Sequence, residues 1–367
     1  MCSVGGYPTV HEGRTGQKLT RVAEGIKSRL NRESDRRYAE IANSDQFSCG
    51  QFYSEVKNDY AEVWALKRVW LEEHDGMALD EALPGIELVN ERGACYLIET
   101  VEKASLQTVP RPIAKECLLS DLKLLHGVRE ATEAALKKSG YKSINTLIEH
   151  KRFGGQARRF LEIVEALDTG EMVEWIGKRY SKSHPLALLA SGFHAADELL
   201  FVDIETLGLF SSPIIVIGLA KLVGEALTVY QYVLRNLHEE PAALTAFFSH
   251  IDERCALVTF NGRTFDVPYL EQRLAYYQIP GDLQKTHFDV FHFARRRWRG
   301  TTPDCRLGTL QEYFLGAREA DIPSAFVPEF YETYLQTRNV GPLLAIVAHN
   351  REDLVALARI FSKVCEG

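Results

Sequence analysis

Leu199-Leu200-Phe201-Val202-Asp203-Ile204-Glu205 is a short apolar run interrupted by two acids. A run of this length and composition reads as a buried strand. Side chains at i and i+2 of a strand share a face, so Asp203 and Glu205 project together while Val202 and Ile204 pack opposite. Two carboxylates side by side on an apolar strand repel each other and are poorly solvated, an arrangement that usually calls for a cation. Hard oxygen donors favour Mg²⁺ or Mn²⁺. By itself Asp-x-Glu carries little weight, because it recurs by chance in any acidic chain.

Two later segments bring further acids. Cys255-Ala-Leu-Val-Thr-Phe260 is another apolar run, and Asn261-Gly262 ends it as a turn. Asp266 then opens a helical pattern of Val267, Leu270 and Leu274, placing its carboxylate between a strand end and a helix N-terminus. The plain structural reading of Asp266 is an N-cap. Phe265 before it reads either as a core anchor or as a wedge against a nucleotide. In the third segment, Leu343, Leu344, Ile346, Val347, Leu354, Leu357, Ile360 and Phe361 follow a helical spacing. His349 and Asp353, four apart, share a helix face. They are either an exposed His–Asp pair or a metal-binding aspartate with a His that orients or deprotonates an attacking water.

Taken in order, Phe201-Val-Asp203-Ile-Glu205-Thr, the Asn261-x-x-x-Phe265-Asp266 spacing and a final acid on a C-terminal helix resemble the DEDD exonucleases of the ribonuclease-H-like superfamily. The chain is most similar to the YprB-type ribonuclease-H-like family. That resemblance also draws on His287-Phe-Asp289-Val-Phe291-His292, Cys305-Arg-Leu307-Gly-Thr-Leu310, Arg318-Glu-Ala-Asp321-Ile-Pro323 and Val327-Pro328-Glu-Phe-Tyr331. It covers residues 197–367. His349 lies four residues before Asp353, which is the spacing of the superfamily's tyrosine branch with the residue type of its histidine branch. Ser324 stands where the relatives usually have Gly.

The resemblance implies an α/β fold, a ribonuclease-H-like mixed five-stranded sheet with helices on both faces. Residues 213–220 and 227–233 would supply the second and third strands, residues 255–260 the fourth, and residues 285–293 the fifth. It further implies that Asp203, Glu205, Asp266 and Asp353 hold two Mg²⁺ or Mn²⁺ ions, about 3.5–4 Å apart, for in-line phosphodiester cleavage. His349 would align or deprotonate the nucleophile. Asn261 and Phe265 would meet the nucleic acid, DNA or RNA, at a single-stranded 3′ end. Asp289 is either a spare ligand or a structural, substrate-adjacent residue.

The first half carries a second signal. Asp121-Leu-Lys-Leu-Leu125-His126-Gly127-Val128-Arg129, followed by an Ala-rich helical stretch and Gly140, resembles a helix-hairpin-helix element. Such an element binds a nucleic-acid phosphate through hairpin amides and a helix N-terminus without reading bases. Arg129 replaces the usual second glycine of the hairpin, so Gly127 and Arg129 are either phosphate contacts or parts of a packing module. Residues 111–182 contain 14 basic and 10 acidic residues, a local +4 in a chain of −7. Arg295-Arg296-Arg297-Trp298-Arg299 joins cation and aromatic. Arg296 and Trp298 there suit a single-stranded backbone with a stacked base, or simply a solvated face.

At 367 residues, more than one domain is expected. Residues 1–50 read as a mobile arm, residues 51–182 as a mainly helical region with a β-hairpin around Glu91-Arg92-Gly93, and residues 197–367 as the nuclease domain. No apolar stretch approaches a membrane span, and seven scattered cysteines without a Cys-x-x-Cys pair favour reduced thiols in the cytoplasm. The net charge of −7 argues against a constitutive chromatin-like binder. The function expected is a metal-dependent 3′–5′ exonuclease. The alternatives are a nucleic-acid binder that no longer cleaves and a phosphodiesterase acting on small nucleotides.

Overall fold

The computed structural model describes residues 52–104, 106–209, 211–316 and 322–366. The expected N-terminal arm, and the stretch from Arg318 to Asp321, lie outside the described residues.

All five expected strands form: β3 (Leu199–Thr206), β4 (Ile214–Val223), β5 (Ala226–Val233), β6 (Ala256–Thr259) and β7 (Thr286–Asp289). The sheet, however, has seven strands rather than five. The hairpin of β1 (Ile86–Asn90) and β2 (Gly93–Lys103) does not stand apart from it. β2 pairs antiparallel with β5 from Tyr96↔Val233 to Lys103↔Ala226, giving the order β1-β2-β5-β4-β3-β6-β7. The reason is the edge of β5, which would otherwise present a row of unpaired backbone groups; β2 is long enough to cover it. β3, β4 and β5 form an antiparallel meander, and β6 and β7 run parallel to β3. β4 and β5 are joined by two residues, Gly224 and Glu225, with Gly224 at φ +64°, as a two-residue hairpin requires.

Helices flank this sheet. Glu240–Phe248 bridges β5 to β6, Asp266–Tyr276 bridges β6 to β7, and Val290–Trp298 follows β7. The part of the C-terminal helix Gly341–Cys365 after residue 349 lies on the sheet, where Phe361 meets Phe201 edge-on with ring centroids 5.7 Å apart. Helices Arg111–Ser120, Glu130–Lys138, Gly154–Glu165 and Thr169–Gly177 make up the helical module. The expected boundary near residue 182 does not separate two cores. Leu118, Phe160 and Met172 of the module share one hydrophobic core with Phe201, Phe288 and Phe361.

The chain falls into two compact units. One contains residues 85–317 and 350–367, with the whole sheet and the helical module. The described part of the other is residues 52–84 and 322–349. There, helix Phe52–Glu73 meets helix Val327–Thr337 through Lys67, which is buried, 2.6 Å from Glu329 and 3.1 Å from Thr333 Oγ1.

Candidate functional site

The acids of β3 sit where the sheet opens. β3 pairs with β6 from Leu199↔Ala256 only as far as Phe201↔Val258, because β6 stops at Thr259. Residues 203–205 therefore extend past their parallel neighbour while staying paired to β4. Asp266 comes into that opening. It is not the N-cap of its helix, a place taken by Phe265, but the first helical residue, and its Oδ1 accepts from the Ile204 N–H at 3.3 Å. Asp266 is 6% exposed. Burial, and next the nearby charge of Asp203, push its carboxyl well above the ordinary carboxylate range.

The loop that delivers Asp266 is held from below. Asn261 adopts a left-handed φ of +66°, uncommon outside glycine but tolerated by asparagine. The carboxylate of Asp289, 1% exposed at the end of β7, accepts from the backbone N–H groups of Asn261 (2.8 Å) and Arg263 (3.2 Å). Of its two expected roles, the structural one describes these contacts. Thr259 Oγ1 accepts from the Gly262 N–H at 3.1 Å and lies 2.7 Å from His287 Nε2. His287 is held far down, at about 3, first by burial and then by the Arg263 guanidinium, which donates to the His287 carbonyl. Asn261 is exposed, and Phe265, half-buried, leans on Tyr269. Tyr269 in turn donates to the Gly208 and Ser212 carbonyls, tying the helix to the loop after β3.

The third segment reaches β3 through a residue the sequence reading passed over. Asn350 is fully buried, and its amide donates to Asp203 Oδ2 at 2.8 Å and to the Asp203 carbonyl at 3.2 Å. Its Oδ1 accepts from Gln231 Nε2 at 2.9 Å. Asp353 follows one turn later on the same helix, half-buried. His349 is also buried, with Nε2 3.0 Å from Ser324 Oγ. Ser324 thus supplies a hydroxyl partner for the imidazole. The signal that would have found Asn350 is Gly218, a glycine in the middle of a strand, which marks a close approach by another group.

These donors fit a hard divalent cation in their chemistry: Asp266 is a buried carboxylate whose ionisation is opposed by its burial and by the charge of the half-buried Asp203. Among the described residues, no group of three or more His, Cys, Asp or Glu side chains is gathered closely enough to hold a metal.

The remaining candidates divide. Trp298 is not available to stack a base: it is buried, 4.5 Å from the Phe314 ring, because the helix Val290–Trp298 turns it into the core. Arg296 is exposed and donates to Ser181 Oγ at 3.3 Å. Gly127 has a φ of +87° and is exposed, as is Arg129. The neighbouring His126 N–H already donates to Gln156 Oε1 at 2.6 Å, and Glu130 and Glu133 occupy the first turn of the helix that follows. Acids there disfavour an anion at that helix end.

Residues 200–365 match the family model of the RNase H superfamily. The sheet order agrees, with β3–β5 as the antiparallel meander and β6 and β7 added parallel beside β3. Residues 200–365 are a ribonuclease H superfamily domain. Over 185 residues, 49% of its length, the chain is 31% identical to the uncharacterized protein YprB of Bacillus subtilis (strain 168). The similar region spans 44% of that relative. No helix among the described residues is long and apolar enough to cross a membrane.

Proposed function

We propose that this chain is a metal-dependent nuclease of the DEDD type, acting as a 3′–5′ exonuclease on a single-stranded end. The observation that carries the reading is the buried Asp266, its carboxyl raised by burial and by the charge of Asp203, at the open end of β3 in a ribonuclease-H sheet. Asp203, Glu205, Asp266 and Asp353 would hold Mg²⁺ or Mn²⁺. When bound, such ions lower the pKa of a water and stabilise charge on the departing oxygen.

The chain's own residues do the rest. Buried walls of Val202 and Ile204 exclude water behind the acids, which strengthens every charge interaction in front of them. Asn261 and Phe265, on the loop pinned by Asp289, take the terminal nucleotide. Arg296 contacts phosphates farther along the strand. Orientation of the attacking water is assigned to His349, from its place four residues before Asp353 in one helix.

A strand binder without cleavage is the second reading, favoured by His349, whose place four residues before Asp353 joins the spacing of one branch to the residue type of the other. The two separate on 5′-labelled single-stranded DNA and RNA with Mn²⁺. Under the nuclease reading the wild type yields a ladder shrinking from the 3′ end, and Asp203→Ala and Asp266→Ala each lose more than about 100-fold in rate. Strand binding in all three proteins with no cleavage in any would leave the binder.

A further inference from the structure

Asn350 sits over a hole in the sheet. Asp203, Gly218 and Gln231 are direct cross-strand partners on β3, β4 and β5, so their side-chain positions form one row on one face. The middle position is empty. A Cβ on Gly218 would come within 2.3 Å of Asn350 Oδ1 and 2.7 Å of Leu354 Cδ1. The glycine therefore lets the C-terminal helix descend onto β4, and the amide of Asn350 fills the gap. The buried amide reaches Gln231 on one side and the half-buried Asp203 on the other.

The direction of these bonds matters. Gln231 donates to Asn350 Oδ1, which turns the Asn350 nitrogen toward Asp203. There it makes two bonds, one to the carboxylate and one to the backbone carbonyl of the same residue. One amide thus fixes both the side chain of Asp203 and the strand that carries it. An amide is also neutral: unlike Lys or Arg, it holds a carboxylate in place without cancelling its charge. Asp353 lies three residues on, so the contact that sets the Asp203 carboxylate also sets the register of the helix bearing the last acid.

We infer that Asn350, oriented by Gln231 and admitted by Gly218, is the positioning residue of this site: it locks the rotamer of Asp203 and the register of the Asp353 helix against β3. The consequence for metal binding rests on the nuclease reading above; the geometric claim does not. Groups that orient ligands in this way typically contribute 10–100-fold in metal affinity or activity.

The test uses the full chain with Asn350→Leu, which keeps the branched shape and removes both hydrogen-bonding functions, and Gln231→Met, which removes only the orienting partner. Crystal structures of both are compared with the wild type, alongside Mn²⁺ titration and single-strand cleavage. In Asn350→Leu the Asp203 carboxylate is expected to move by more than about 0.5 Å, the tolerance of a built site. Mn²⁺ affinity falls about 10–100-fold, and kcat falls while KM for the strand holds. Gln231→Met gives the same changes in smaller measure, a graded response that general loosening of the core would not produce.

An unmoved Asp203 carboxylate in Asn350→Leu overturns the inference, whatever the cleavage assay shows. If Asn350→Leu does not fold, Gln231→Met decides alone: an unmoved Asp203 carboxylate there overturns the inference, and a shifted one supports it. A shifted carboxylate in a protein whose wild type neither binds Mn²⁺ nor cleaves would support the positioning role and remove the nuclease reading instead.

Discussion

Two buried acids of the sheet unit, Glu240 and Asp266, begin neighbouring helices and live in opposite surroundings. Glu240 is fully buried and accepts from Arg273 Nε at 2.7 Å and Arg273 Nη2 at 2.5 Å, from the Tyr277 hydroxyl at 2.8 Å and from the Ile214 N–H at 2.9 Å. Its charge is matched and its oxygens are fully engaged. Asp266 accepts from the Ile204 N–H, and the charge that acts on it most strongly is another carboxylate, Asp203. The first arrangement holds β4 to two helices. The second works against its own ionisation unless a cation arrives. Burial alone does not mark a functional acid; burial beside a like charge does.

The sharpest way to break this contrast is to give Glu240 the condition of Asp266. Arg273→Ala strands a buried carboxylate and is expected to cost about 3–5 kcal/mol in urea unfolding. A loss near zero would mean that the pair contributes nothing beyond a hydrophobic replacement.

The complementary experiment supplies what Asp266 lacks. With Mn²⁺ at about 100 times its Kd, the wild type should gain about 2.7 kcal/mol. The melting temperature of Asp203→Ala should stay where it is without metal. Equal gains in both proteins would place the ion elsewhere.

A buried base under the same loop supplies a pH axis. His287 titrates at about 3 in the folded chain instead of 6.5. Below pH 6.5 the unfolded chain therefore takes up a proton that the folded chain refuses, and stability falls by up to about 1.4 kcal/mol per pH unit toward about pH 3. His287→Gln should flatten that acid limb in unfolding measured at pH 7 and pH 5. An unchanged slope would exclude His287 as its source.

The smallest effect has the most distinctive sign. Because the Asp266 carboxyl is raised above its ordinary 3.8, its ionisation opposes folding once the pH exceeds that value. In chelator, Asp266→Asn should melt slightly higher than the wild type at pH 7 and lose that advantage toward about pH 4. A lower melting temperature at both pH values would show that the carboxylate stabilises the fold without metal.

Much of this was legible along the chain. The strands from Leu199 to Asp289, the helix opening at Asp266 and the C-terminal helix follow from runs of apolar residues and their period, which depend on neighbours a few positions away. The acids Asp203, Glu205, Asp266 and Asp353 stood out by type and order. Partners across space were not legible. Trp298 belonged to a basic run and turned into the core; the hairpin at residues 86–103 looked independent and became two strands of the main sheet. Asn350 was one letter between His349 and Asp353.

The amino-acid sequence by itself determined which segments are strands and helices, and which carboxylates are offered, because local period and residue chemistry are properties of consecutive residues. Only the tertiary structure decided that Asp289 supports a loop, that Glu240 is neutralised while Asp266 is not, and that Gly218 leaves room for Asn350 beside Asp203. Each depends on which groups meet across strands far apart in the chain, and in a low-dielectric interior those meetings set whether a charge stabilises the fold or waits for a ligand.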